Sequence, residues 1–321
     1  MSKILITGAT GFVGRAVCKR LREDSAHELA GTTRKSNSEA GPAGVPLYCV
    51  PEIGPNTDWT QAVSNADIVI HLAARVHIMK EKSLDPFAAF HRVNSEGTKA
   101  LATQAAAKGV KRFIFISTVK VAGETSSSNG FTEIDRGRPE DSYGISKWEA
   151  EKELNHIAKT TAMEVVILRP PLIYGPGVKG NFKALFLAVQ AGVVLPLGAI
   201  KNKRSLLFVG NLADAIATVT THPKAGNQTF FVSDTEKTST PELIQKISAA
   251  LGKKPRMLNI PPSLLKVIGL LIGKSDAAQR LIRSLTVDIN HIKTHLGWRP
   301  PFSMKDGLKE TADWFTKDVS K

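Results

Sequence analysis

The chain has 321 residues, 42% of them apolar and 22% charged. This is enough apolar material for a large core and excludes both a disordered chain and a small single module. Lys and Arg number 43 against 29 Asp and Glu, a formal charge of +14 at pH 7. Such a balance bears on partners (nucleic acid, a membrane surface, or a small anionic ligand such as a nucleotide) rather than on fold.

Two cysteines, Cys18 and Cys49, supply neither a disulfide framework nor a zinc cluster. They read as small buried hydrophobes in a reducing compartment. Met1-Ser2-Lys3 leads straight into an apolar strand with no secretory signal, and the longest near-apolar run, Leu264 to Ile272, is interrupted by Lys266. That run is far short of the roughly 20 residues a membrane helix needs, so a cytoplasmic protein is expected.

In chain order, Ile4 to Ile6 predicts a strand, Phe12 to Arg22 a helix, and Leu29 to Thr33 and Leu47 to Val50 two further strands. Asp67 to Leu72 is a fourth, apolar enough to be buried on both faces. The Ala-rich stretch from Pro86 to Lys108 predicts a long helix, Arg112 to Ile116 a fifth strand, and Val165 to Leu168 a sixth, after a helix that starts near Tyr143. Strands separated by helices imply βαβ units, hence an α/β fold with a doubly wound parallel sheet. After Arg169 the pattern loosens through Pro170, Pro171, Gly175, Pro176, Gly177 and Gly180. Helices are expected over Phe182 to Gly192, over Pro241 to Leu251 and from Pro261-Pro262, with Phe230 to Val232 returning as a strand to the first sheet. Residues 1–175 with about 208–235 should form the main unit, and 176–207 with 236–321 a smaller interleaved lobe. Ser126 to Gly130 reads as a flexible loop.

The first strand runs into Gly8-Ala9-Thr10-Gly11-Phe12-Val13-Gly14 and then a helix. Gly8 permits a tight turn, Gly11 lets backbone N–H groups approach a pyrophosphate, and Gly14 lets the helix pack close to the strand. The helix N-terminus adds partial positive charge. In this context the turn predicts a Rossmann-type dinucleotide site, with Thr10, Phe12 and Val13 beside the glycines. The second strand ends Thr33-Arg34-Lys35-Ser36, with no acid before Glu39. An acid there would bond a ribose 2′-hydroxyl, whereas Arg34 and Lys35 suit a 2′-phosphate. NADP(H) is therefore the preferred cofactor and NAD(H) the alternative.

Tyr143 and Lys147, in Tyr143-Gly144-Ile145-Ser146-Lys147, stand i, i+4 on one helical face. An ammonium near a phenol favours phenolate, and a phenol so tuned exchanges a proton with an alcohol or ketone oxygen.

These features, in order with His71-Leu72-Ala73-Ala74, Asn94, Ser117-Thr118, Arg169-Pro170, Tyr174-Gly175-Pro176-Gly177, Asn211-Leu212-Ala213-Asp214 and Leu296-Gly297-Trp298, resemble the extended short-chain dehydrogenase/reductases of the nucleotide-sugar epimerase/dehydratase family. The resemblance runs over nearly the whole chain. It implies Thr118 on the reacting C4 oxygen, Tyr143 as acid/base, and Lys147 on the nicotinamide ribose lowering the Tyr143 pKa. It places Leu72, Ala73, Ala74, Asn94, Ser117 and Pro170 around the cofactor. It also implies Arg204, and secondarily Asn181, on a nucleotide diphosphate, with Lys120 and His77 lining the substrate pocket.

Departures narrow the reaction. Val119 stands where the family's dehydratases carry an acid, which argues against elimination. Pro51-Glu52-Ile53 replaces the usual adenine contact, and Ala122 replaces a Tyr. The Val119-Lys120-Val121 loop resembles the subgroup that reduces UDP-4-keto-6-deoxy-N-acetylhexosamines for surface polysaccharide, giving UDP-N-acetylquinovosamine-type products. With Arg34 and Lys35 it favours a 4-ketoreductase. A UDP-glucose or UDP-N-acetylglucosamine 4-epimerase with tightly bound NAD is the alternative, and a non-catalytic nucleotide-binding protein the remote one.

The basic residues are scattered without a recognition-helix pattern, so no nucleic acid is expected. His291 and His295 share a helix face but lack further ligands, so no metal is expected. His71 reads as structural. Leu264 to Lys274 reads as a lobe helix, with peripheral membrane contact as the sharper alternative. The resemblance implies a homodimer formed through the long helices before Lys108 and around Tyr143.

Overall fold

The computed structural model describes residues 1–24, 26–35, 41–76, 84–271 and 275–319. Its strands are β1 (Ser2–Thr7), β2 (His27–Thr33), β3 (Leu47–Cys49), β4 (Ile68–His71), β5 (Arg112–Ile116), β6 (Glu164–Arg169), β7 (Leu172–Tyr174), β8 (Arg204–Phe208), β9 (Gln228–Phe231) and β10 (Lys237–Thr238). The helices are α1 (Phe12–Glu23), α2 (Thr60–Val63), α3 (Pro86–His91), α4 (Gly97–Ala107), α5 (Ser142–Thr160), α6 (Gly180–Gln190), α7 (Val209–Thr221), α8 (Thr240–Ala250), α9 (Pro262–Leu271), α10 (Ser275–Ile282), α11 (Asn290–Leu296) and α12 (Met304–Val319).

Seven strands pair in parallel in the order β3-β2-β1-β4-β5-β6-β9. Both faces are buried, and the period of two sorts the side chains. Ile4, Ile6, Ile70, Ile114 and Leu168 pack with Val17, Leu21, Leu212 and Ile216 of α1 and α7. The intervening Leu5, Val69, Phe113, Phe115 and Ile167 pack with Leu101 and Ala105 of α4 and with Leu154 and Ile157 of α5. This is the doubly wound sheet expected from the sequence, and β9 returns to it beside β6.

β7, β8 and β10 form a second sheet. A third apolar cluster joins it to α6, α8 and α12 through Tyr174, Phe186, Phe208, Ile244 and Phe315. A buried carboxylate ties the two parts: Asp234 accepts from Tyr174 Oη (2.8 Å), the Phe208 backbone N–H (2.9 Å) and Asn211 Nδ2 (2.7 Å). The C-terminal region returns through α7, where Trp298 Nε1 donates to Asp214 Oδ1 at 3.0 Å and Arg20 Nε to Asp214 Oδ2 at 3.1 Å.

Three expectations are corrected. The helix from Pro86 to Lys108 is interrupted by a π turn at Arg92–Glu96, which turns Asn94 inward, and α4 ends at Ala107. Cys18 is buried, its thiol pushed up to about 11 by burial, but Cys49 lies exposed on β3, the edge strand that pairs with β2. The Ser126–Gly130 loop is pinned rather than loose: Ser126 Oγ accepts from the Thr286 N–H at 2.9 Å, and the Ser126 N–H donates to Ser284 O at 3.1 Å.

Candidate active site

The strand order reverses between β1 and β4, the switch point outside which doubly wound sheets form their binding crevice. Gly8 sits there with φ +69°, a left-handed backbone that favours glycine. A side chain at Gly8 would begin 3.0 Å from the Ala73 backbone nitrogen, so the two turns touch. A Cβ at Gly14 would lie 2.2 Å from Gly8 O, which explains how α1 comes so close to the turn. At Gly11, by contrast, a Cβ would meet only Gly8 O, at 3.1 Å, leaving the outer side clear. No side chain caps α1 at Gly11, so among the described residues its first N–H groups lack the usual cap acceptor. Thr10 is exposed, while Phe12 and Val13 are half-buried and pack against the third cluster.

Behind the crevice, His71 is fixed by Thr7 Oγ1 (2.7 Å) and Thr98 Oγ1 (3.0 Å). Burial, then the nearby Lys147, lowers its pKa to about 3, so the ring is neutral and structural at pH 7. Thr7 Oγ1 also accepts from the Ala73 N–H at 3.2 Å. Leu72, Ala73 and Ala74 line this turn, half-buried. Asn94 clamps the chain after them: its side chain accepts from the Arg75 N–H (2.8 Å) and donates to Arg75 O (2.9 Å) and Ser146 Oγ (3.0 Å). One buried amide thereby joins the post-β4 turn to α5, and the π turn supplies its position.

At the end of β5, Ser117 Oγ is buried without a hydrogen-bond partner among the described residues. Its neighbour Thr118 opens a 3₁₀ turn at Val119–Val121 and accepts from the Lys120 N–H at 3.3 Å. Asp141 caps α5, accepting from the Gly144 N–H at 2.7 Å. A Cβ at Gly144 would stand 3.1 Å from Lys120 O, so the start of α5 packs tightly on the Thr118 turn. Tyr143 follows the cap, its ring edge-on to Phe90 at 6.1 Å. One turn on, Lys147 Nζ lies buried 4.3 Å over the Phe115 ring and donates to Ile116 O at 2.7 Å. Thr118, Tyr143 and Lys147 are thus gathered at the C-terminal end of the sheet. Arg169 Nη2, 2.6 Å from Glu151 Oε2, anchors α5 to β6, and Pro170 is buried with its carbonyl accepting from the Val119 N–H at 2.9 Å.

The electrostatics differ from the expectation that Lys147 lowers the Tyr143 pKa. Burial, then the Asp141 carboxylate, raises the phenol above its usual value. Burial brings the Lys147 ammonium down to about 7, opposed by Glu151. The lysine cannot polarise the phenol strongly because its head is engaged by the Ile116 carbonyl and is itself only partly charged near pH 7.

The expected substrate residues are placed unevenly. Lys120 does not point free into the pocket: its Nζ lies 2.5 Å from Asp141 Oδ2 and 2.7 Å from Glu124 Oε1. Arg204 Nη1 donates to Arg280 O at 2.5 Å, and burial lowers its pKa. Asn181 is exposed in the first turn of α6, Arg34 and Lys35 are exposed at the end of β2, and His77 lies outside the described residues. The His291 ring lies tilted against Phe230, centroids 4.8 Å apart, and among the described residues no cluster of three metal-ligating side chains occurs. Asp141 and Glu124 were not anticipated, although an Asp directly before a helical run is an N-cap signal and Glu124 is four residues from Lys120.

The geometry fits a dinucleotide: a turn whose outer side is clear at Gly11, an α1 terminus without a side-chain cap at Gly11, and, at the end of β5, a buried Ser117 hydroxyl without a partner among the described residues. Comparison with known proteins agrees. The model of the NAD dependent epimerase/dehydratase family matches residues 4–232. A UDP-glucose 4-epimerase of Vibrio cholerae is 45% identical over 97% of this chain and 95% of its own length. An N-acetyl-alpha-D-glucosaminyl-diphospho-ditrans,octacis-undecaprenol 4-epimerase of Escherichia coli O157:H7 is 26% identical over 97% and 94%. The crystal structure of Thermotoga maritima UDP-glucose 4-epimerase with UDP-glucose superposes with a TM-score of 0.78 over 99% of each chain at 23% identity, a likeness of fold. This chain belongs to the NAD dependent epimerase/dehydratase family.

Proposed function

We propose that the protein transfers hydride at C4 of a UDP-sugar and that the reaction is 4-epimerisation with a retained NAD. The observation that carries the hydride chemistry is that Thr118, Tyr143 and Lys147 lie at the C-terminal end of the same parallel sheet that the glycine turn follows. The choice of epimerisation is supported by the Vibrio cholerae relative, whose match spans almost all of both chains. Gly8, Gly11, Gly14 and the first N–H groups of α1 would hold the pyrophosphate. Ala73, Ala74, Asn94, Ser117 and Pro170 would surround the nicotinamide end. The bound nicotinamide supplies a hydride acceptor and, when oxidised, a positive charge.

Tyr143 would act as the phenolate, which that positive charge favours: its Oη would take the C4 hydroxyl proton as hydride leaves C4, and would return the proton when hydride comes back to the other face of the 4-keto sugar. Thr118 Oγ1 holds the C4 oxygen at both stages. Lys147 would bond the cofactor ribose, and its residual charge would help to steady that phenolate. A homodimer through α4 and α5 belongs to the same reading.

A second reading rests on Arg34 and Lys35, two exposed cations where a 2′-phosphate would lie. In it, Arg34 and Lys35 would hold an NADPH that supplies one hydride per turnover, and Tyr143 would donate the proton to the C4 oxygen of a UDP-4-keto-6-deoxy-N-acetylhexosamine. Denaturing the purified protein and identifying the released dinucleotide separates the two. Stoichiometric NAD, with interconversion of UDP-glucose and UDP-galactose or their N-acetylated forms, is the expected result. An empty site that prefers NADPH and turns over only the 4-keto sugar would establish the reductase instead. Tyr143→Phe should lower turnover at least about a hundredfold while sparing nucleotide binding. Full activity in that variant would overturn both readings.

A further inference from the structure

We propose that residues 251–270, together with the Val193-Val194 turn, form a surface that docks the protein on an anionic lipid membrane. From Leu243 to Ser275 the sequence contains no Asp or Glu and six Lys or Arg. Helix α9 lies in this stretch and has apolar side chains facing inward and outward among its described residues. Leu265 turns inward onto the third cluster, while Leu264, Val267 and Leu270 are 47%, 52% and 71% exposed. Exposed apolar side chains on the outer side of a helix need cover there.

The apolar patch extends beyond the helix. Leu258 is exposed just before it, and the Leu195 N–H donates to Arg256 O while the Leu258 N–H donates to Leu195 O, both at 2.9 Å. This pairing brings the exposed Val193 and Val194 alongside. Lys253, Lys254, Arg256 and Lys266 are all exposed around the patch.

The charge selects the occupant. Exposed Leu and Val rimmed by cations match the chemistry of an anionic leaflet: apolar side chains enter the acyl boundary while lysine and arginine stems reach up to the headgroups. A second copy paired across a two-fold axis would set this acid-free, basic segment against itself. Nucleic acid would satisfy the cations but leave the leucines and valines in water. No described helix is long and apolar enough to cross a membrane, so the contact is peripheral.

The test is sedimentation of the full-length protein with phosphatidylcholine vesicles, with and without phosphatidylglycerol. Wild type should sediment with the phosphatidylglycerol vesicles and not with the neutral ones. Each cation near an anionic surface is worth about 1 kcal/mol, so Lys253→Ala with Lys254→Ala should weaken binding on the order of tenfold or more. Leu264→Ser with Leu270→Ser should abolish it, with the melting temperature of both variants unchanged. Failure to bind phosphatidylglycerol vesicles overturns the proposal. So does binding that survives the leucine changes, which would mark a general polyanion surface. A concentration-dependent dimer lost in the leucine variant would place a second copy on the face and overturn it too. The readout needs no turnover, so it stands or falls apart from the proposed reaction.

Discussion

Lys120 lies between two carboxylates, Asp141 and Glu124, and Asp141 caps the helix that presents Tyr143. The same lysine belongs to the turn opened by Thr118. It is therefore a positioning residue that joins the proposed oxygen-holding side to the proposed proton-transfer side. It also offsets the charge of Asp141, which raises the phenol's proton affinity. Lys120→Met should leave Asp141 and Glu124 uncompensated and loosen the turn. Turnover should fall about tenfold, and the alkaline shift of the kcat–pH profile should be about one unit, the scale on which a single close charge moves a pKa. Lys120→Arg should restore most of both, since a guanidinium bridges two carboxylates as well. An unshifted pH profile in the methionine variant would assign Lys120 to loop packing alone. Loss of UDP-sugar affinity with an unshifted kcat profile would return it to the substrate.

The turn from β1 into α1 separates two uses of glycine that the sequence alone assigns but cannot rank. A Cβ at Gly14 would collide with two backbone oxygens, Gly8 O at 2.2 Å and Ala9 O at 2.6 Å, neither of which can move without shifting strand or helix. Gly14→Ala should therefore destabilise the fold by about 3 kcal/mol, in the range of core overpacking. At Gly11 the backbone φ is an ordinary −74° and the added Cβ would meet only Gly8 O. Gly11→Ala should keep the melting temperature within a few degrees yet weaken dinucleotide binding at least about tenfold, because the methyl stands where the pyrophosphate would approach. Thermal unfolding and fluorescence titration read the two effects. Equal losses of stability in both variants would refute the distinction.

This contrast also shows what was legible. The first six strands announce themselves as short apolar runs between turn residues, and their alternation with helices fixes a parallel sheet before any coordinate is known. β8 and α7 were not anticipated as elements, because what holds them is distant in sequence: Asp214 meets Trp298, and Asn211 meets both Asp234 and Phe302. In the site, the spacing of Tyr143 and Lys147 was plain. The proton affinity of Lys147 was not, since it depends on burial against Phe115 and Ile116 from another strand.

At the scale of the whole molecule, a lysine buried in the sheet–helix interface makes native stability depend on pH. Lys147 is 2% exposed, and its pKa falls from the ordinary 10.5 to about 7 on folding. Between those values the unfolded chain binds the proton and the folded chain has lost it. Stability therefore rises with pH across that window, and below about 7 the cost of the buried charge is felt in full. The fold carries this cost, on the order of a few kcal/mol, at the position where the proposed chemistry places a cation. Lys147→Met keeps the length and apolar stem of the side chain but removes the titration. Denaturant unfolding of the ligand-free proteins from pH 7 to pH 10 should show wild type gaining stability relative to the methionine variant, the gap between the two closing as the lysine in the unfolded chain loses its proton. Parallel curves would mean that Lys147 is charged in the fold and that Glu151 outweighs burial. The lysine would then be ready to stabilise a phenolate before any cofactor binds, and dinucleotide would have no need to organise the site.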